Sequence, residues 1–133
     1  MSEANRIKYL RIALILVGVI FVVGIYTLVV FWPSGWSWHA GHSQDLPHYL
    51  QMILGVYATL GIFLLIASRN PLANLSLIRF TVWSSVVHAG IMAMQSLANP
   101  EQRGHLLGDV PALLVIAVVL AFLTPRRRAA MPA

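Results

Sequence analysis

The chain has 133 residues, of which 59% are hydrophobic and 10% are charged, and its mean hydropathy is +0.78. Soluble domains carry about 25% charged residues, so this composition excludes a soluble enzyme, a disordered tail and a nucleic-acid-binding domain. The absence of cysteine excludes disulfides, thiolate metal sites and thiol catalysis. The composition therefore predicts a small integral membrane protein, whose partner is the lipid bilayer.

Charge-free stretches predict four transmembrane helices, at about residues 10–32, 49–67, 79–98 and 106–124. A membrane helix needs about 20 apolar residues, and only helices satisfy every backbone polar group within such a segment. The first stretch is too long for the apolar part of a signal peptide, so we expect it to be retained. Residues 1–133 are thus predicted to form one all-α domain, an up-down-up-down four-helix bundle.

The basic residues predict the orientation of this bundle. Eight of the nine Lys and Arg residues fall on one side of the predicted membrane: Arg6, Lys8, Arg11, Arg69, Arg79, Arg126, Arg127 and Arg128. Only Arg103 falls on the other side. Because basic loops stay in the cytoplasm, we expect both termini to be cytoplasmic. The high isoelectric point then needs no nucleic acid as an explanation.

None of the five histidines falls on the predicted cytoplasmic side. His88 lies near the middle of the third span. The outer side of the predicted membrane carries His42, His48, His105 and Asp109. Imidazole and carboxylate groups without cysteine suit Zn, Cu or non-haem Fe, so these last four residues are candidate metal ligands. A haem with two histidine ligands is disfavoured, because only His88 lies at mid-membrane depth.

The second and fourth spans begin with a similar pattern, Gly-His followed by Asp-x-Pro, at Gly41–Pro47 and Gly104–Pro111. Aspartate is a preferred N-cap residue and proline is tolerated in the first turn, so capping by Asp45 and Asp109 is the simpler interpretation. If Asp109 caps its helix, His105 lies before the helix begins. The spacing of four residues between them then does not place the two side chains on one helix face. The fourth span is short, however, which draws Asp109 toward the apolar edge, where a carboxylate needs a partner. We therefore expect a histidine within about 4 Å of it.

The third span carries a polar stripe. Thr81, Ser84, Ser85, His88, Gln95 and Ser96 fall within one arc of the helix, together with Met92. This stripe is expected to face other helices, a cavity or a partner rather than lipid. For the hydroxyl residues, hydrogen bonding between helices is the simpler interpretation. A mid-membrane imidazole is a candidate functional group, so His88, Gln95 and Met92 are candidate ligand-binding residues.

The small residues predict where the helices pack. Ser85, Ala89 and Ala93 border the polar stripe and are expected to be buried against a neighbouring helix. A matching face on the second span is expected at His48, Met52, Gly55 and Thr59, with Gly55 at a close approach. Tyr57 lies on the opposite face of that span and receives no role.

Five segments carry a resemblance to known proteins: KYLRIALILVGVIF, WPSGW, LGVYATLGIFLLIASRNP, SLIRFTVWSSVVHAGIMAMQSL and GHLLGDVPAL. Together they resemble a bacterial family of small four-helix membrane proteins of unknown function and, more distantly, the DoxX-like four-helix proteins. The resemblance implies a four-helix bundle in the bacterial cytoplasmic membrane. DoxX-like proteins are associated with quinone-linked or redox accessory roles, but no motif in this chain carries such a role across.

Two functions remain open. The first is a membrane protein that binds a small ligand, a metal ion or a quinone in an outward-facing site lined by histidine and aspartate. The second is a non-catalytic accessory or structural subunit, either a homo-oligomer or bound to a partner membrane subunit. An enzyme is less favoured, because no nucleophile–base pair or phosphate-binding loop is present. A transporter is also less favoured, because no charged residue lies at mid-membrane depth.

The orientation is tested by reporter fusions. A reporter fused after Ala133 should be cytoplasmic and one inserted in the Ser34–Ser43 loop should be external, because eight of nine basic residues then lie inside. Reports from the same side would contradict the count of four spans.

Overall fold

The computed structural model describes residues 1–31 and 48–126, which form four long helices and no strand. The first long helix comprises α1 (Glu3–Val19), a π-helical segment (Ile20–Gly24) and α2 (Ile25–Phe31), which follow without a break. The others are α3 (His48–Ala67), α4 (Leu75–Ala98) and α5 (Asp109–Leu123). Short 3-10 helices, Pro71–Asn74 and Pro100–Leu106, precede α4 and α5. Within these ranges the predicted all-α fold with four long helices is confirmed.

Three helices in the described ranges are long and apolar enough to cross a membrane: Glu3–Thr27, Pro71–Ala98 and Arg103–Leu123. The described apolar part of α3, Gln51–Ala67, is shorter. The third of these helices reaches that length because the 3-10 segment continues into α5, which has only 15 residues of its own. Asp109 therefore lies inside a continuous helical stretch rather than at its beginning.

The helices pack in the order α3, α1, α5, α4. α1 and the π-helical segment contact α3, α1 also contacts α5, and α5 makes its largest interface with α4. α3 and α4 share few contacts. A larger core is built from all four long helices, around Leu10, Leu14, Leu64, Ile78 and Leu120. A smaller one joins α4 to α5, around Ala89, Met92, Val110 and Leu113.

Two arginines of α1 tie together one end of the bundle. Arg6 Nη2 donates to the backbone oxygens of Phe122, at 2.5 Å, and Thr124, at 3.3 Å. Arg11 Nη2 donates to the backbone oxygen of Arg69 at 3.3 Å, in the turn that follows α3. The last carbonyls of a helix have no partner within it, and cations there also meet the negative end of the helix dipole. The start of α1 and the ends of α3 and α5 therefore lie at the same end of the molecule.

The backbones of α1 and α3 approach each other closely at Gly18 and Gly61. A Cβ atom on Gly61 would lie 2.7 Å from the backbone oxygen of Gly18, and one on Gly18 would lie 2.9 Å from that of Gly61. Neither backbone leaves room for a side chain. At Gly55, where we expected the close approach, a Cβ would meet nothing within 4 Å, so that prediction is wrong. Glycine permits helix backbones to approach closely, which is how membrane helices commonly associate.

This contact generates a stability prediction. Gly61→Ala should lower the free energy of unfolding by about 1–3 kcal/mol, because α1 and α3 must move apart to admit the methyl group. The measurement is the thermal midpoint of the purified protein in detergent. Gly55→Ala is the matched control, since it makes the same change on the same helix in open space. It should leave stability unchanged or raise it by up to about 1 kcal/mol through helix propensity. Equal effects of the two substitutions would contradict the close approach.

Candidate functional site

A hydrogen bond joins the Tyr57 hydroxyl on α3 to Nδ1 of His88 on α4. Both side chains are partly buried, and their ring centroids are 5.5 Å apart. Since α3 and α4 share few other contacts, this bond is a main link between them. When the phenol donates, the imidazole proton lies on Nε2, and that N–H is the donor which the ring offers to a third group.

The π-helical segment positions Tyr57. Phe21, which is 3% exposed, lies in this segment and meets the Tyr57 ring edge-to-face, with centroids 4.9 Å apart and an interplanar angle of 83°. Tyr57 also packs against both hydrophobic cores. Its ring is thus held from several sides, and the hydroxyl is directed at His88. Single wide turns of this kind inside α-helices occur frequently at functional sites.

A second polar pair lies where α5 begins. His105 Nδ1 lies 2.8 Å from each carboxylate oxygen of Asp109, and since an ionised carboxylate only accepts, the imidazole N–H donates. The two residues are 7% and 6% exposed. The expectation of a histidine within about 4 Å of Asp109 is therefore confirmed.

The capping role expected for Asp109 is wrong by one residue. Gly108 occupies the N-cap position and Asp109 is the first residue of α5. The 3-10 helix that contains His105 leads into α5 through one turn, so the spacing of four places the two side chains side by side. The carboxylate also lies at the positive end of the α5 dipole.

The other predicted ligands do not join these pairs. His48 lies exposed in the first turn of α3, and Gln95 is exposed on α4. Met92 is 8% exposed and packs within the smaller core. His42 lies outside the described residues. In residues 1–31 and 48–126, no group of three His, Asp or Glu side chains is placed to hold a metal ion.

The predicted face of α3 points the wrong way. Met52 is 66% exposed, and Gly55 and Thr59 are exposed as well, whereas the face with Tyr57, Gly61 and Leu64 turns inward. Tyr57 is thus the residue of the candidate site that sequence reasoning missed. The sequence offered no sign that favours this row, because the row of Met52, Gly55 and Thr59 has similar helical spacing and also contains a glycine.

The polar stripe of α4 is only partly inside. Thr81, Ser85 and Ser96 are at most 2% exposed, and Ala89 is 1% exposed, which confirms the expected packing at Ser85 and Ala89. Ala93 is partly buried against the smaller core. The hydroxyls of Thr81 and Ser84, however, donate to Leu77 and Thr81 backbone oxygens of their own helix. The expected hydrogen bonds between helices are therefore not made by these two residues.

The described residues define an all-helical protein in which three helices are suited by length and composition to cross a membrane. The model of a family of unknown function, DUF6632, matches residues 4–131, and the chain therefore belongs to this family. The comparison with curated proteins found no match, and neither did the comparison with solved structures.

The His105–Asp109 pair generates a stability prediction. His105→Ala and Asp109→Ala should each destabilise the protein, because each leaves a buried polar partner without its hydrogen bond. The double variant should lose less than the sum of the two, with a coupling free energy of about 1–3 kcal/mol. The measurement is a double-mutant cycle on thermal midpoints. Glu101→Ala, at an exposed carboxylate of the preceding 3-10 helix, is the control and should change little. Additive losses would mean that the pair contributes no coupling.

Proposed function

We propose that this chain is a multi-pass protein of the bacterial cytoplasmic membrane that binds an apolar ligand with a hydrogen-bond acceptor, such as a quinone, at His88. The observation that carries the proposal is the Tyr57–His88 hydrogen bond between α3 and α4. A polar pair inside membrane-spanning helices is expensive, and such pairs usually mark a functional site.

The proposed orientation places both termini in the cytoplasm and the His105–Asp109 pair toward the outer side. The contacts of Arg6 and Arg11 support it, because they bring the start of α1 and the ends of α3 and α5 to one end, where most basic residues lie. Positively charged ends of membrane proteins stay inside. His88 then lies between this end and the outer pair, within the span of α4.

Several features favour a quinone over a metal ion. His105 and Asp109 already bond to each other, and the described residues assemble no three-ligand set. His88, by contrast, is partly exposed and has its Nδ1 occupied by Tyr57, so its Nε2–H is suited to donate to a ligand carbonyl. An apolar groove of about 680 Å³ lies on the exposed face of α3 and is not lined by Tyr57 or His88; its lining residues are Met52, Gly55, Val56, Thr59, Leu60, Phe63 and Leu77.

The proposal is tested by titrating the purified protein in detergent with decylubiquinone and measuring binding calorimetrically. Saturable binding near one ligand per chain is expected, and His88→Ala should weaken it about tenfold, the effect of losing one good hydrogen bond. His88→Gln keeps a donor and should recover part of the affinity. Tyr57→Phe keeps the ring against Phe21 but frees the imidazole, so it should also weaken binding. His48→Ala, which removes an exposed histidine, should bind as the native protein does.

The second candidate is an accessory subunit, and the exposed face of α3 favours it. Gly55 and Thr59 on this face are small enough for another membrane helix to approach closely. Absence of saturable quinone binding, together with specific disulfide cross-links from Gly55→Cys to a second membrane chain, would replace the first proposal with this one. Membrane insertion itself is tested separately by resistance of the protein to alkaline carbonate extraction.

A further inference from the structure

A cleft lies at the end of the molecule where α1 begins and α5 ends. Its volume is about 680 Å³, and its walls come from Met1, Glu3, Arg6, Ala121, Phe122, Pro125 and Arg126. Two short segments that are far apart in the sequence therefore build one concave surface. None of these residues belongs to the Tyr57–His88 site or to the His105–Asp109 pair.

The charges of this cleft favour an anion. The charged side chains that line it are two arginines, Arg6 and Arg126, and one glutamate, Glu3. Arg6 is held in place, since it donates to the backbone oxygens of Phe122 and Thr124 and its guanidinium carbon lies 5.9 Å from the Phe122 ring centroid. A cation fixed in this way loses little conformational freedom when it binds a ligand. Arg126 is exposed, lines the same cleft and supplies a second, accessible cation.

The same cleft has an apolar wall. Phe122 is 67% exposed, and Ala121 and Pro125 line the cleft next to it. A free inorganic anion gains nothing from such a wall. A ligand with a charged group next to a hydrocarbon part would use both surfaces at once.

The position of the cleft along α5 agrees with such a ligand. α5 is apolar up to Leu123, and Arg126 follows three residues later. If α5 spans the bilayer, as the proposed function requires, this step lies at the boundary between hydrocarbon and headgroups. Clusters of basic residues at the cytoplasmic boundary are suited to anionic lipid headgroups.

We propose that this cleft is a binding site for an anionic phospholipid, with the phosphodiester between Arg6 and Arg126 and the start of an acyl chain against Phe122. Glu3 narrows the choice of headgroup. Its carboxylate repels a second negative charge and accepts a hydrogen bond from a hydroxyl, so a singly charged, hydroxylated headgroup fits best. Phosphatidylglycerol has this chemistry, and this inference rests on the membrane insertion in the proposed function.

The test measures binding of phosphatidylglycerol to the full chain in detergent by native mass spectrometry. The native protein should retain phosphatidylglycerol in preference to phosphatidylcholine. Arg126→Gln should weaken this binding about fivefold, the effect expected for one basic residue near an anionic lipid surface. Arg79→Gln is the matched control: it removes the same charge at the same end of the bundle, from an exposed residue outside the cleft, and should change affinity less than twofold.

A second variant tests the headgroup. Glu3→Gln removes the negative charge of the cleft and should raise the affinity for phosphatidic acid relative to phosphatidylglycerol. This substitution leaves Arg6 and its contacts with α5 in place. A change in lipid affinity would therefore not come from a change in the fold.

Three results would overturn the inference. Equal weakening by Arg126→Gln and Arg79→Gln would show a general charge effect. Displacement of the lipid by millimolar inorganic phosphate would assign the cleft to a soluble phosphate compound. Equal retention of phosphatidylglycerol and phosphatidylcholine would show that the anion is not recognised. Any of these leaves the proposed quinone site standing, whereas release of the protein by alkaline carbonate would instead contradict membrane insertion.

Discussion

The contact between Gly18 and Gly61 is the constraint on which the candidate site depends. It brings the backbones of α1 and α3 so close that neither position has room for a Cβ. Phe21, one turn above Gly18, then reaches the inner face of α3 and meets Tyr57 edge-to-face. Tyr57 in turn bonds to His88 on α4. A backbone contact between two glycines therefore sets the position of an imidazole two helices away.

The paired polar groups of the protein lie at different levels along the helices. At one end, arginines of α1 satisfy carbonyls at the ends of α5 and of the α3 turn. At the start of α5, a histidine and an aspartate satisfy each other in a buried pair. Between these levels the helices are mostly apolar, and the Tyr57–His88 pair crosses a seam with few other contacts. Each of these polar groups is thus paired within the protein, His88 through its Nδ1 atom.

The helices were predictable from the sequence, but the faces that they turn inward were not. Charge-free stretches indicate spans directly, because charged residues are excluded from hydrocarbon. In a helix such as α3, apolar residues surround the axis, so hydropathy does not distinguish the inner face from the outer one. Gly55 and Gly61 are equally small in the sequence, and only the partner Gly18 decides between them. The pairing of His105 with Asp109 was predictable, because a carboxylate near hydrocarbon needs a partner. The 3-10 helix that brings the two side chains together was not predictable.

The wide turn at Ile20–Gly24 has an arithmetic consequence for insertions and deletions. Each residue of an α-helix turns the chain by about 100°, whereas a π-helical turn closes its hydrogen bonds one residue further along and so holds about one residue more than an α-helical turn. Removing one residue from this stretch would therefore let it close as an ordinary α-helical turn, and α2 would keep roughly its orientation relative to α1. The same deletion within the regular part of α1 would rotate the rest of the helix by about 100°. The wide turn is thus a place where the first long helix can lose one residue without a change in the direction of its faces.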